Sequence, residues 1–199
     1  IMLYKVLDCT LRDGGYYTDW KFNTKLVRQL VKSLDNNNVD IIELGYKSPV
    51  IGGPYRKCND GFINSIINFK VEAISKTLKE EVEEYINVTK NLNLTAIYIA
   101  DSYGALYPKD VKSIMQHKSI NGIHTHDNMG LAFANCLEAI DQGATYIDGT
   151  LTGMGRGVGN VTTEQLLTHR GEINSDLLDC IREFNKMKKH YGWGTNPLY

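Results

Sequence analysis

Two histidines separated by one residue, His124 and His126, close a short apolar run that begins at Gly122. In an extended strand residues i and i+2 face the same way, so both imidazoles point together. Far upstream, Arg12 and Asp13 stand just past another apolar run, Leu3 to Cys9, with Gly14 and Gly15 permitting a tight backbone behind them. Two imidazoles and a carboxylate from another strand make a facial set for a divalent cation, leaving its other positions open to water and substrate. Taken singly, these patterns have plainer readings. An H-x-H pair can be two hydrogen-bonded core histidines, and Arg12 beside Asp13 can be a salt bridge closing a strand end.

Further polar groups gather at similar positions. The run Gly153-Met-Gly-Arg-Gly-Val-Gly-Asn160 could cradle a carboxylate or phosphate on its backbone N–H groups, with Arg156 as a clamp. It matches neither G-x-G-x-x-G nor a P-loop, and a plain solvent loop has the same composition. Glu43, with Tyr46 and Lys47 just beyond, ends a third apolar run; it either orients a metal-bound water or pairs with Arg12. Asp8 and Asn128 are read as substrate-binding or supporting groups around the same mouth.

The elements that would position these groups alternate. Strand-like runs at Leu3–Cys9, Val39–Leu44, Lys70–Ile74, Ala96–Ala100, Gly122–His126 and Thr145–Asp148 are interleaved with helical spacing. The helical stretches include Leu26 to Leu34 with Thr24 near its start, Gly61–Phe69, Lys79–Asn91, and Leu131–Gln142 ended by Gly143. Alternation of this kind predicts a parallel sheet with helical crossovers, whose ligands sit at the carboxyl ends of the strands. Six such units fall short of a closed eight-unit barrel, which takes about 250 residues. The join at Asn68-Phe69-Lys70, where a helix runs into a strand with almost no loop, is where units would be absent.

The bulk properties bound the function. The chain has 199 residues, 42% hydrophobic and 23% charged, with a net charge of −1, which argues against nucleic acid as a partner. It has no apolar stretch long enough to span a membrane. Cys9, Cys58, Cys136 and Cys180 are scattered without a C-x-x-C pair, as free thiols of a cytoplasmic protein would be.

Taken together, D-C-T-L-R-D-G-G (Asp8–Gly15), H-T-H-D-N-M-G-L-A-F-A-N (His124–Asn135) and G-M-G-R-G-V-G-N (Gly153–Asn160) resemble the pyruvate-carboxyltransferase-like, or HMG-CoA lyase-like, barrel family, the DRE-TIM metallolyases. Ile42-Glu43-Leu44-Gly45 and Ala100-Asp101-Ser102 fit its second and sixth strand ends. The resemblance implies a TIM (β/α)8-type barrel as one domain over residues 1–199, lacking its third and fourth strands near 69–70 and incomplete at the C-terminus. It implies Asp13, His124 and His126 as metal ligands, Asn160 as a fourth in some members, Arg12 stabilising an enolate oxygen, and Asp101 among the supporting groups. The activity implied is a divalent-metal-dependent aldolase or lyase working through the enolate of a 2-oxo acid such as pyruvate, as in 4-hydroxy-2-oxovalerate aldolases. Its partners would be a 2-oxo acid and an aldehyde, with a homodimer as the candidate assembly. Imidazole and carboxylate donors suit Mn²⁺ first, then Co²⁺ or Zn²⁺, while Mg²⁺ prefers all-oxygen shells.

One departure stands out. The histidine that follows the R-D-G turn in those aldolases, thought to be their base, is replaced here by Tyr16, with Tyr17 beside it. A phenol titrates near 10, so it is a weaker base than imidazole at neutral pH. A Claisen-type synthase joining an acyl-CoA to a 2-oxo acid and a non-catalytic metal-binding member are the rival readings. A metal-dependent hydrolase barrel is a third, although such barrels place H-x-H on the first strand.

Overall fold

The computed structural model describes residues 4–45 and 94–188, together with the backbone of 75–76. Strand β1 (Lys5–Asp8) follows the apolar run at the start of the chain, and its Val6 and Leu7 are fully buried. It leads into two single-turn helices, α1 (Thr10–Asp13) and α2 (Gly15–Thr18), where the sequence predicts only a Gly-rich turn. The helical start has a local cause: the Asp8 carboxylate accepts hydrogen bonds from the Thr10 backbone N–H (3.1 Å) and hydroxyl (2.9 Å). Gly15 is required next, because a Cβ there would stand 2.0 Å from the Trp20 indole.

Helix α3 (Thr24–Asn36) buries Val27, Leu30, Val31 and Leu34 against the sheet. Asn23, rather than Thr24, caps it, accepting from the N–H groups of Lys25 and Leu26. Strands β2 (Ile41–Ile42), β3 (Ser75–Lys76), β4 (Tyr98–Asp101), β5 (Gly122–Thr125) and β6 (Tyr146–Gly149) complete the described sheet. Helices α4 (Pro108–Ile114) and α5 (Ala132–Asp141) form the crossovers before and after β5, and α6 (Thr163–Arg170) and α7 (Leu178–Met187) follow β6. Gly143, at φ +97, turns the chain away after α5 as its C-terminal position requires.

The strand order is β2-β1-β6-β5-β4-β3, and every described pair is parallel. The first strand therefore lies between the second and the last. That neighbourhood is the closure of a (β/α) barrel, in which the final strand comes round to meet the first. Among the described residues the edges are β2 and β3, where an eight-unit barrel without its third and fourth strands would be open. The predicted helices at 61–69 and 79–91, the strand at 70–74, the join at 68–70 and residues 191–199 lie outside the described residues. Among the described residues no helix is long and apolar enough to cross a membrane.

Register sets the floor of the site. Ala100 pairs with His124 and Leu7 with Asp148, while Ile123 pairs with Ile147, so the next residues, His124 and Asp148, stand level on β5 and β6.

Candidate metal centre and active site

At the carboxyl ends of these strands a cleft of about 210 Å³ is lined by Arg12, Asp13, Tyr16, Ala100, Ser102, His124, His126 and Arg156. Six of these, all but Ala100 and Ser102, are residues the sequence singles out. His124 Nε2 lies 3.6 Å from Asp13 Oδ2, and the two imidazoles meet edge to face with centroids 5.4 Å apart. All three side chains are buried. The far nitrogen of His124, Nδ1, is 3.2 Å from Asp148 Oδ2, which fixes the ring and leaves Nε2 facing Asp13. Tyr98 is hydrogen-bonded to that same carboxylate, and burial beside it pushes the phenol well above its usual range.

Charge is held unevenly around this centre. Burial alone would raise the Asp13 carboxyl, but Arg12, His124 and the Asn160 amide outweigh it and hold the group below the ordinary carboxylate value. Arg12 Nε is 3.0 Å from Asp13 Oδ1, and its Nη1 is 3.3 Å from Glu43 Oε2. Arg12 thus bridges the ends of β1 and β2, the pairing that is one of the two sequence readings for Glu43. Burial pushes the Glu43 carboxyl up to about 7 even so, because Asp13 and Asp148 add to the desolvation that Arg12 opposes. His126 is pushed down to about 3 by burial and by neighbouring His124, so it is a neutral imidazole with one ring nitrogen free to accept.

The Gly-rich loop is a built wall. It begins at Thr152, whose backbone adopts φ +59, a left-handed conformation that costs a threonine roughly 1–3 kcal/mol. The Glu164 carboxylate holds the Thr152 N–H through both oxygens (2.9 and 3.1 Å), and Lys188 Nζ holds its carbonyl at 2.7 Å. The Tyr17 hydroxyl donates to the Gly155 carbonyl and accepts from the Gly155 N–H at 3.2 Å, tying the loop to α2. At the loop's end the Asn160 amide nitrogen donates to Asp13 Oδ2 at 2.5 Å. It is the nitrogen that faces Asp13, so ligation by Asn160 would need its amide turned over.

The remaining candidates lie outside the cleft lining. Asp8 is fully buried beneath the turn, bonded by Thr10 and Thr163. Asp101 caps the loop after β4, accepting from the N–H groups of Ala105 and Leu106. Asn128 is buried against Gly104, where a Cβ would come within 2.6 Å of the Asn128 backbone nitrogen. Tyr46 and Lys47 lie outside the described residues. Sequence reasoning overlooks three residues: Asp148, Tyr17 as a loop fastener, and Cys9. An ionisable side chain inside the apolar run Tyr146–Gly149 is the signal that would have marked Asp148.

A divalent cation fits these residues. Cys9, Asp13 and His124 bring their ligand atoms within 4.8 Å of one another, all buried; of the three ligands expected from the sequence, His126 is not in that close group. His126 lines the same cleft, and its Nδ1 is buried with no hydrogen-bond partner among the described residues.

Parallel strands in barrel order, with a buried carboxylate–imidazole cluster and two arginines at their carboxyl ends, give a (β/α)-barrel with a candidate metal site. The chain belongs to the HMGL-like family, whose sequence profile matches residues 56–177. A 4-hydroxy-2-oxovalerate aldolase from Carboxydothermus hydrogenoformans is 27% identical, covering 82% of this chain and 69% of its own length. An oxaloacetate decarboxylase from Mycobacterium tuberculosis is 25% identical, covering 88% of this chain and 73% of its own. The crystal structure of the N-terminal domain of a candidate aldolase from Bacteroides vulgatus superposes with a TM-score of 0.76 at 28% identity, over 96% of this chain and 89% of that one. Family and fold make this a TIM-barrel enzyme of the aldolase and lyase class.

Proposed function

We propose that this chain is a divalent-metal-dependent aldolase that forms or cleaves the carbon–carbon bond next to the carbonyl of a small 2-oxo acid such as pyruvate, with an aldehyde as the other partner. The observation that carries the reading is the convergence of Asp13 and His124, 3.6 Å apart, in one cleft with His126, Arg12 and Arg156. In it Asp13, His124 and His126 would hold the cation, with Asn160 steadying Asp13. On two imidazoles and a carboxylate alone the cation is Mn²⁺ first, with Co²⁺, Zn²⁺ and Mg²⁺ as the others. When bound, it supplies the Lewis acidity that lets charge develop on the substrate's 2-oxo oxygen.

The protein's own groups do the rest. Arg12, fixed by Asp13 and Glu43, offers a second positive charge to the oxygen on which charge develops, an interaction stronger in the transition state than in the ground state. Arg156 receives the substrate carboxylate from the loop side. Tyr16, 45% exposed at the cleft mouth, is the group within the lining placed to exchange a proton with the alcohol of the bond being cleaved. The free thiols Cys9, Cys136 and Cys180 suit a reducing compartment, the cytoplasm.

The test is pyruvate release from a panel of 4-hydroxy-2-oxo acids, before and after chelation. Metal-dependent release supports the aldolase. Release from oxaloacetate alone would make the chain a decarboxylase using the same centre, and affinity for acyl-CoA with no release would favour the Claisen-type synthase.

A further inference from the structure

The centre contains a sulfur that a histidine–carboxylate ligand set does not include. Cys9 is the residue at which β1 gives way to α1, and its carbonyl accepts from the Asp13 N–H at 3.0 Å. One helical turn therefore separates the two side chains, which share a face. Cys9 Sγ lies 3.8 Å from Asp13 Oδ2, beside the 3.6 Å separation of Asp13 Oδ2 and His124 Nε2. Oxygen and sulfur ligands of one tetrahedral Zn²⁺, at about 2.0 and 2.3 Å from it, stand about 3.5 Å apart. The observed separations match that edge to within a few tenths of an ångström. His126 lines the same cleft, and its Nδ1 is buried without a hydrogen-bond partner among the described residues.

We propose that Cys9 is a sulfur ligand of the cation held by Asp13 and His124, so that this centre prefers a thiophilic ion, Zn²⁺ or Co²⁺, to Mn²⁺ or Mg²⁺. The inference rests on the metal reading above and changes its ranking of ions, because thiolate donors select softer cations than carboxylate and imidazole do. Its chemistry is a proton exchange without oxidation or reduction. The Cys9 S–H bond breaks, its proton passes to solvent, and the sulfur lone pair bonds the ion. At present the thiol points at the Gly149 carbonyl, 3.4 Å away, and at Asp13, contacts that a bound ion would replace.

The experiment titrates the metal-free chain with Co²⁺ and records its absorption spectrum. A thiolate-to-cobalt charge-transfer band in the near ultraviolet, lost in Cys9→Val while the visible cobalt bands persist, is the expected result. Visible bands without the charge-transfer band overturn the sulfur ligand and leave the metal site standing. A band unchanged in Cys9→Val assigns the sulfur to another cysteine and also overturns it. No cobalt bound at all removes both the sulfur ligand and the metal centre. Should Cys9→Val fail to fold, X-ray absorption of the zinc-loaded wild-type chain counts the ligands. One sulfur supports the assignment, and a shell of nitrogen and oxygen alone rejects it.

Discussion

Asp148 Oδ2 stands 3.2 Å from His124 Nδ1, with both side chains buried, and this contact decides which nitrogen of His124 faces Asp13. A carboxylate behind a ligating imidazole fixes its tautomer and raises its basicity. Asp148→Asn is expected to weaken metal binding by roughly 10–100-fold while the chain stays folded. Competition with a chromophoric chelator measures it, and an unchanged affinity would show that Asp148 does not orient a ligand.

Tyr17 reaches across to Gly155 and fixes the loop that carries Arg156 and Asn160. Tyr17→Phe removes hydrogen bonds worth about 0.5–1.5 kcal/mol each. The expected effect is a fall in kcat/KM several times larger than any effect of the small loss in melting temperature. Equal activity in the variant would mean that the loop holds its shape without this fastening.

Gly155 faces Asn160, and a Cβ at that position would stand 2.4 Å from Asn160 Oδ1. Gly155→Ala must therefore displace the Asn160 side chain, whose amide is bonded to Asp13. Weaker metal binding with an intact fold is expected, read by calorimetric titration alongside circular dichroism.

The Glu164 carboxyl is pushed up from 4.5 to about 7, chiefly by burial, against the Thr152 N–H and the Lys188 charge. The folded chain thus holds this proton more tightly than the unfolded chain. Its contribution favours folding fully below about pH 4.5 and is lost as pH rises to about 7. Glu164→Gln should flatten the pH dependence of stability over that window, measured by urea unfolding at stepped pH. An identical slope in the variant would rule out Glu164 as its source.

Periodicity locates β1, β4, β5 and β6 to within two residues at each end, because their apolar runs are short and bounded by turns. The cleft residues Arg12, Asp13, His124, His126 and Arg156 are legible for a related reason: each lies at or after the end of such a run, on the side where a parallel fold gathers its ligands. Asp148 is different. It sits inside a buried run, and its partner on β5 depends on strand register, which no local pattern encodes. Cys9 reads as an inert thiol until α1 winds Asp13 back over it, and α1 itself hides in a stretch whose glycines signal a turn. Asp8 and Asp101 share the site motifs yet satisfy backbone N–H groups, a use that composition alone does not separate from catalysis.

Asp13, His124 and His126 are proposed to hold a cation that lets this cleft enolise a 2-oxo acid. Deuterium exchange into the methyl group of pyruvate, followed by NMR on the chelated chain and again after a divalent metal is restored, tests it most directly. The expected result is exchange that appears with metal and is absent in Asp13→Ala. Metal bound by the wild-type chain with no exchange would contradict it.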